Sequence, residues 1–166
     1  MKAKILKNAV IVLILAAMIH SCKEDEPTLP PETQTGAHTF GCYVNGELFV
    51  PQWGSAGFGT PILQAIFTVY DTLPDNILTI CASGKNGYCI MDVLNPKEDH
   101  KKEFQRLDYL NYNNNNSYQG KYTGEIFLTR FDTINMIVSG TFSFTIPSVH
   151  ATQGRFDIKG LRIFRF

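Results

Sequence analysis

The sequence predicts an all-β domain, most simply an antiparallel β-sandwich of nine or ten short strands. Three observations carry this. Short apolar-alternating runs recur throughout residues 39–166, separated by Asn-Gly, Gly and Pro turn signals. No segment after residue 22 keeps a 3.6-residue apolar period over three turns. The run 136–146 alternates Met136, Val138, Phe142 and Phe144 on one face with Ile137, Ser139, Thr141, Ser143 and Thr145 on the other, the pattern of a sheet with one buried and one wet face. Hairpin-length links between neighbours keep an up-and-down, lipocalin-like barrel as the alternative.

The first 21 residues lie outside that domain. Lys2, Lys4 and Lys7 precede an unbroken apolar run, Ala9 to Ile19, and Ser21-Cys22 follows. Eleven helical residues rise only about 16 Å, against a hydrocarbon core of roughly 30 Å, so the run suits a signal peptide better than a membrane span. Ile19-His20-Ser21-Cys22 resembles a bacterial lipobox, although His20 departs from its usual pattern. The resemblance implies an acylated Cys22 as the first mature residue. Ordinary cleavage near Ala16-Ala17 is the rival. Lys23-Glu24-Asp25-Glu26 resembles the surface-export signal of Bacteroidota lipoproteins, the plainer reading being a solvated acidic linker. The expected location is the outer membrane, lipid-anchored and surface-exposed, with the periplasmic face as alternative. Loss of residues 1–21 removes three lysines and no acids, giving 12 minus 15, or −3. That charge leaves no footprint for nucleic acid.

Residues 22–37 hold Pro27, Pro30 and Pro31 with few apolar side chains, so they read as a disordered tether, with the domain at 38–166. Asn45-Gly46 between Phe40–Val44 and Glu47–Val50 predicts a type I′ hairpin placing Val44 opposite Glu47, Tyr43 opposite Leu48 and Cys42 opposite Phe49. Pro51 ends that strand or marks an edge. Residues 52–61 form a Gly-rich loop around Trp53 and Phe58. Strands follow at 62–70, 77–82 and 88–94. The charged stretch 95–106 has room for one or two helical turns. Residues 109–122 alternate aromatic and polar residues around the Asn113–Asn116 run. Strands are expected again at 124–131, 136–146, 154–159 and 161–166, with a loop at 148–152.

Several stretches carry a wider likeness: Phe40-Gly41-Cys42, Val44-Asn45-Gly46, Phe49-Val50-Pro51, Leu128-Thr129-Arg130-Phe131-Asp132, Ser139-Gly140-Thr141-Phe142-Ser143-Phe144 and Gly154-Arg155-Phe156-Asp157-Ile158. In these the chain resembles an uncharacterised group of Bacteroidota surface lipoproteins with all-β domains. The likeness spans residues 40–158. It implies architecture and location and offers no catalytic residues.

No chemical motif emerges. Gly54-Ser55-Ala56-Gly57 lacks the nucleophile-elbow spacing, and Gly57-Phe58-Gly59 lacks the third Gly and the helix of a dinucleotide site. His38, His100 and His150 are dispersed, and Cys42, Cys81 and Cys89 match no zinc spacing; the thiols read as small buried hydrophobes. Asp132 with Asn135, and Asn95 with Glu98 and Asp99, suit turns better than Ca²⁺. Arg155, Asp157 and Lys159 read as one wet strand face. Neither a metal nor a cofactor is implied. The aromatics Trp53, Phe58, Tyr109, Tyr112 and Tyr118, near loop amides, suggest a glycan platform, against the plainer reading that they cap the core. The functional expectation is a membrane-anchored, non-catalytic binding or accessory module for glycan or an envelope protein. The alternatives are a hydrolase using carboxylates such as Asp92, Asp108 and Glu125, or a structural spacer.

Overall fold

The computed structural model describes residues 27–51, 63–84, 87–111, 116–118 and 121–166, the last part of the Asn run as backbone only. The expected signal peptide, Cys22, the 23–26 signal, Trp53, Phe58 and Tyr112 lie outside the described residues, as does the side chain of Tyr118.

Twelve strands form among the described residues: β1 Thr39–Val44, β2 Glu47–Phe49, β3 Leu63–Val69, β4 Ile77–Gly84, β5 Gly87–Leu94, β6 His100–Glu103, β7 Arg106–Asn111, β8 Asn116–Tyr118, β9 Thr123–Asp132, β10 Ile137–Ile146, β11 Val149–Lys159 and β12 Arg162–Arg165. They build two packed six-stranded sheets. Sheet A has the order β2-β1-β11-β10-β9-β6, and sheet B the order β12-β3-β4-β5-β7-β8. The sheets do not close on each other, so the molecule is a sandwich and not a barrel. Sheet B is antiparallel except at one edge, where β12 runs parallel to β3.

The opening hairpin has the expected register. Cys42 faces Phe49, Tyr43 faces Leu48 and Val44 faces Glu47. Asn45 and Gly46 have φ of 51° and 86°, the left-handed pair that matches strand twist. This register turns Phe40, Cys42, Val44 and Phe49 into the core. Opposite them, sheet B contributes Leu78, Ile80, Met91, Val93 and Leu107. Sheet A adds Ile126, Leu128, Val138, Phe142, Phe144, Phe156 and Ile158. Phe40 lies 5.2 Å from Phe142 and Phe67 5.0 Å from Phe131, centroid to centroid. Such pairs add roughly 0.5–1.5 kcal/mol beyond area burial.

Four expectations need correction. The stretch 95–106 holds strand β6 and no helix; Asn95 and Asp99 sit at φ 46° and 58°, a conformation a right-handed helix does not accept. The loop expected at 148–152 is a two-residue turn: Ile146 pairs with Val149 across Pro147-Ser148. Proline presets the first turn position, and Ser148 takes φ 69° at the second. Third, the tether does not stay free to residue 37. Pro30 packs over Gly41, where an added Cβ would come within 2.6 Å of the proline ring. From there to Ala37 the chain forms a strap across the outer face of sheet A.

The fourth correction explains the third. Asp157 does not sit on a wet face; it is 1% exposed beneath the strap. Its carboxylate accepts hydrogen bonds from the Thr33 hydroxyl (2.6 Å), the Thr35, Gly36 and Ala37 amides (3.0, 2.8 and 3.0 Å) and the Ser139 hydroxyl (2.6 Å). Ser139, expected on the solvated side of its strand, is buried for the same reason. Burial raises the Asp157 pKa. The Ala37 amide, the Ser139 and Thr33 hydroxyls and the Gly36 amide outweigh it, holding the carboxyl well below the usual range. Arg130 donates to the Gln34 carbonyl (2.5 Å) and Arg155 to that of Pro30 (3.3 Å), fastening the strap along its length.

Candidate functional site

A groove of about 500 Å³ opens on the outer face of sheet A, beside the strap. Its floor follows from strand register. Arg155 of β11 pairs with Thr141 of β10, Thr141 with Phe127 of β9, and Phe127 with Lys101 of β6. This row crosses three inter-strand gaps, about 14 Å. Ser143 and Gln153 line the groove beside it.

A β-bulge in β11 shapes the groove. Phe142 pairs with Gly154 but Phe144 with Ala151, and on the other side Gly41 pairs with Arg155 but Tyr43 with Thr152. The extra residue therefore lies in β11 against both neighbours, and Gln153 takes φ 52°. A non-glycine residue in that region costs of order 1–3 kcal/mol and clusters at functional sites, where bulges re-aim side chains. The bulge also resets strand phase. Val149 and Ala151 point inward before it, Phe156 and Ile158 after it.

The groove's charges balance. Lys101 pairs with Glu125 at 2.8 Å, both well exposed. Arg155 faces Glu32 of the strap at 3.8 Å. The exposed Lys101–Glu125 pair is weak, about 0–1 kcal/mol, so a ligand can exchange with it at little cost, while Arg155 is largely covered and also held by the Pro30 carbonyl. Amide, guanidinium, carboxylate and hydroxyl groups around a half-buried phenyl ring suit a neutral, hydroxyl-rich ligand. A second hollow of about 310 Å³ lies between Tyr122, Ile146, Pro147 and His150, where the Asn45 turn docks.

The residues singled out from sequence are placed differently. Tyr109 is buried in the core, edge-on to Phe49 at 6.2 Å, and forms no platform. Asp92 and Asp108 both contact Arg106 on the outer face of sheet B, and Asp92 also accepts from Thr79 (2.6 Å). Glu125 lies on the other sheet's outer face, so these three carboxylates do not meet. Asp132 accepts from the Ile134 and Asn135 amides, the Asn135 side chain and Arg130. Those bonds, Asn135's first, hold its pKa below the usual carboxylate range. Glu98 takes the Phe131 amide and Asn95 that of Asn76. Asp132 thus builds its own turn, whereas Glu98 and Asn95 tie their stretch to distant strands and loops. Among the described residues, no three His, Cys, Asp or Glu side chains gather as a metal site.

Cys42, Cys81 and Cys89 are free thiols, Cys81 only half-buried. Burial pushes the Cys42 thiol up to about 12, the Cys89 thiol well above its ordinary value, and the Cys81 thiol upward against a Gln64 hydrogen bond. Thiols held protonated are poor nucleophiles. Gln153, Arg155, Thr141, Phe127 and Glu32 were not expected at a site. The change of apolar phase between Ala151 and Phe156 is the signal that marks the bulge. Comparison with protein-family models, curated proteins and solved structures finds no match.

Proposed function

We propose that the chain is a lipid-anchored bacterial envelope protein whose β-sandwich is a non-catalytic binding module, and that its ligand is a neutral glycan seated in the sheet A groove. The observation that carries the ligand class is the groove itself: a charge-balanced, hydroxyl- and amide-lined surface around Phe127, shaped by a bulge at Gln153. Lipid anchoring rests on the leader, the apolar run and Cys22. Surface exposure rests on Lys23-Glu24-Asp25-Glu26, and the resemblance to Bacteroidota surface lipoproteins supports both.

A glycan screen with the purified domain tests the ligand. Binding should fall at least about tenfold in Phe127→Ser, the scale of losing one buried apolar contact. Equal binding by wild type and variant would overturn the site. Metabolic labelling with an alkynyl fatty acid tests the anchor: the wild type should be tagged and Cys22→Ala should not. Protease added to intact cells tests exposure. The domain should be removed, and alanine at Glu24, Asp25 and Glu26 should protect it.

A further inference from the structure

Among the described residues, the exposed large hydrophobic side chains are Leu73, Ile134, Met136, Phe164 and Phe166. All lie at one pole of the sandwich. Phe67 near the end of β3 packs on Phe131 near the end of β9, so the loops after these strands, carrying Leu73 and Ile134, share that pole. The Gly160 and Leu161 amides donate to the Met136 carbonyl, bringing the β11–β12 corner there. Phe166 stacks on Tyr70 and accepts the Asp71 amide.

We propose that this pole docks on a lipid bilayer. Ile134 is 89% exposed, Phe166 71% and Leu73 56%. They stand on separate tips of one end, a form that enters a soft phase side chain by side chain. Exposed apolar groups gathered this way mark an interaction surface. Cations flank them: Lys159 and Arg165 are exposed, and Arg162 lies over the Phe164 ring at 5.3 Å. Such residues favour anionic headgroups. Of the nearby acids, Asp132 is bound by Arg130, Glu98 accepts the Phe131 amide, and Asp75 takes the Asn95 side chain at 2.6 Å; Asp71 is exposed.

Chain length favours a bilayer over a protein partner, and this argument rests on the lipid-anchor reading. Pro30 is seated at Gly41, level with Arg155. Lys159 at the pole is four residues further along β11, about 13 Å. Cys22 is eight residues before Pro30, at most about 29 Å when fully extended. An anchor at Cys22 therefore reaches a bilayer lying under the pole.

The test uses residues 22–166 carrying Cys22→Ser, so that no acyl chain contributes; both sheets and the strap lie within them. Vesicles of phosphatidylethanolamine with about a quarter phosphatidylglycerol are sedimented with this protein and with its Leu73→Ser/Ile134→Ser/Phe166→Ser variant. A bimane on Ile134→Cys reports depth. The protein should bind, the probe should shift to the blue on binding, and the triple variant should bind at least about tenfold more weakly with an unchanged urea midpoint. No binding to vesicles, or equal binding by the variant, would overturn the proposal. So would a dimer that the three substitutions abolish, which would make the pole a protein interface. Fatty-acid labelling of the full chain in cells reads the anchor separately: an unlabelled Cys22 would overturn the anchor and leave the vesicle result standing.

Discussion

Replacing Asp157 by Asn keeps the shape of the side chain and removes one acceptor. With the amide oxygen kept at Oδ2, it still accepts from Thr33, Thr35 and Ala37. The amide NH₂ then faces the Gly36 amide and the Ser139 hydroxyl. Ser139 can turn to accept, but Gly36 cannot. A buried unsatisfied N–H costs about 1–3 kcal/mol, and three bonds falling from charged to neutral lose about 1 kcal/mol each. Removing the charge returns part of its desolvation cost, so the net loss should be roughly 3–5 kcal/mol. At a slope of about 2 kcal/mol per molar urea, the midpoint should fall by about 2 M. Hydrogen exchange should show lost protection at the Thr35, Gly36 and Ala37 amides. The pH dependence has a definite sign. The folded pKa lies below the unfolded one, so the stabilisation is complete above about pH 4. It then shrinks by about 1.4 kcal/mol per pH unit as acid is added, because the unfolded chain binds the proton first. The gap between wild type and variant should therefore narrow between pH 7 and pH 3. A gap under about 1 kcal/mol at neutral pH, or one that widens in acid, would refute the buried-carboxylate clamp.

Gly46→Val should cost roughly 1–3 kcal/mol by chemical denaturation, all of it backbone strain, since nothing lies within 4 Å of the added Cβ. Asn45→Asp should cost about 0.5–1.5 kcal/mol, because it loses the donor that binds the Ser148 carbonyl at 3.0 Å while keeping the acceptor for His150. Gln153→Gly should leave the urea midpoint unchanged or raise it, relieving the left-handed backbone, yet weaken glycan binding; a fall in stability would count against strain at the bulge. In native protein at pH 8, Cys42 and Cys89 should resist iodoacetamide and react only after unfolding, as read by mass spectrometry.

The elements legible in the sequence were those set by local rules. Asn45-Gly46 determines its own turn geometry, and the register of Cys42 and Phe49 follows from it. Strand alternation located most of the two sheets. What escaped depended on distant partners. Nothing near Asp157 in sequence shows that Thr33 to Ala37, more than a hundred residues earlier, will cover it. A proline-rich segment reads as a tether because it lacks apolar side chains, but here backbone amides and threonine hydroxyls hold it in place. Ser148 takes a turn position that usually favours Gly or Asn, so the last hairpin was hidden. Tyr109 suggested a platform because it flanks the Asn run with amides nearby; alternation with Asp108 along β7 and pairing with β5 turn it inward. The groove was the least legible feature, because its row of side chains comes from four strands and its wall from the strap.

The strap also sets when the fold can be completed. Thr33 meets its acceptor 124 residues later, and β1 lies between β2 and β11. For a chain that crosses a membrane N-terminus first, β1 has only the three-residue β2 beside it until β11 emerges. A two-stranded ribbon of that size is marginal on its own, and late non-local pairing makes folding slow. In such a chain sheet A would stay open until β11, and with it Asp157, is available. Because its acceptor lies so late in the chain, the strap can lock only when nearly all of the sequence is available to fold.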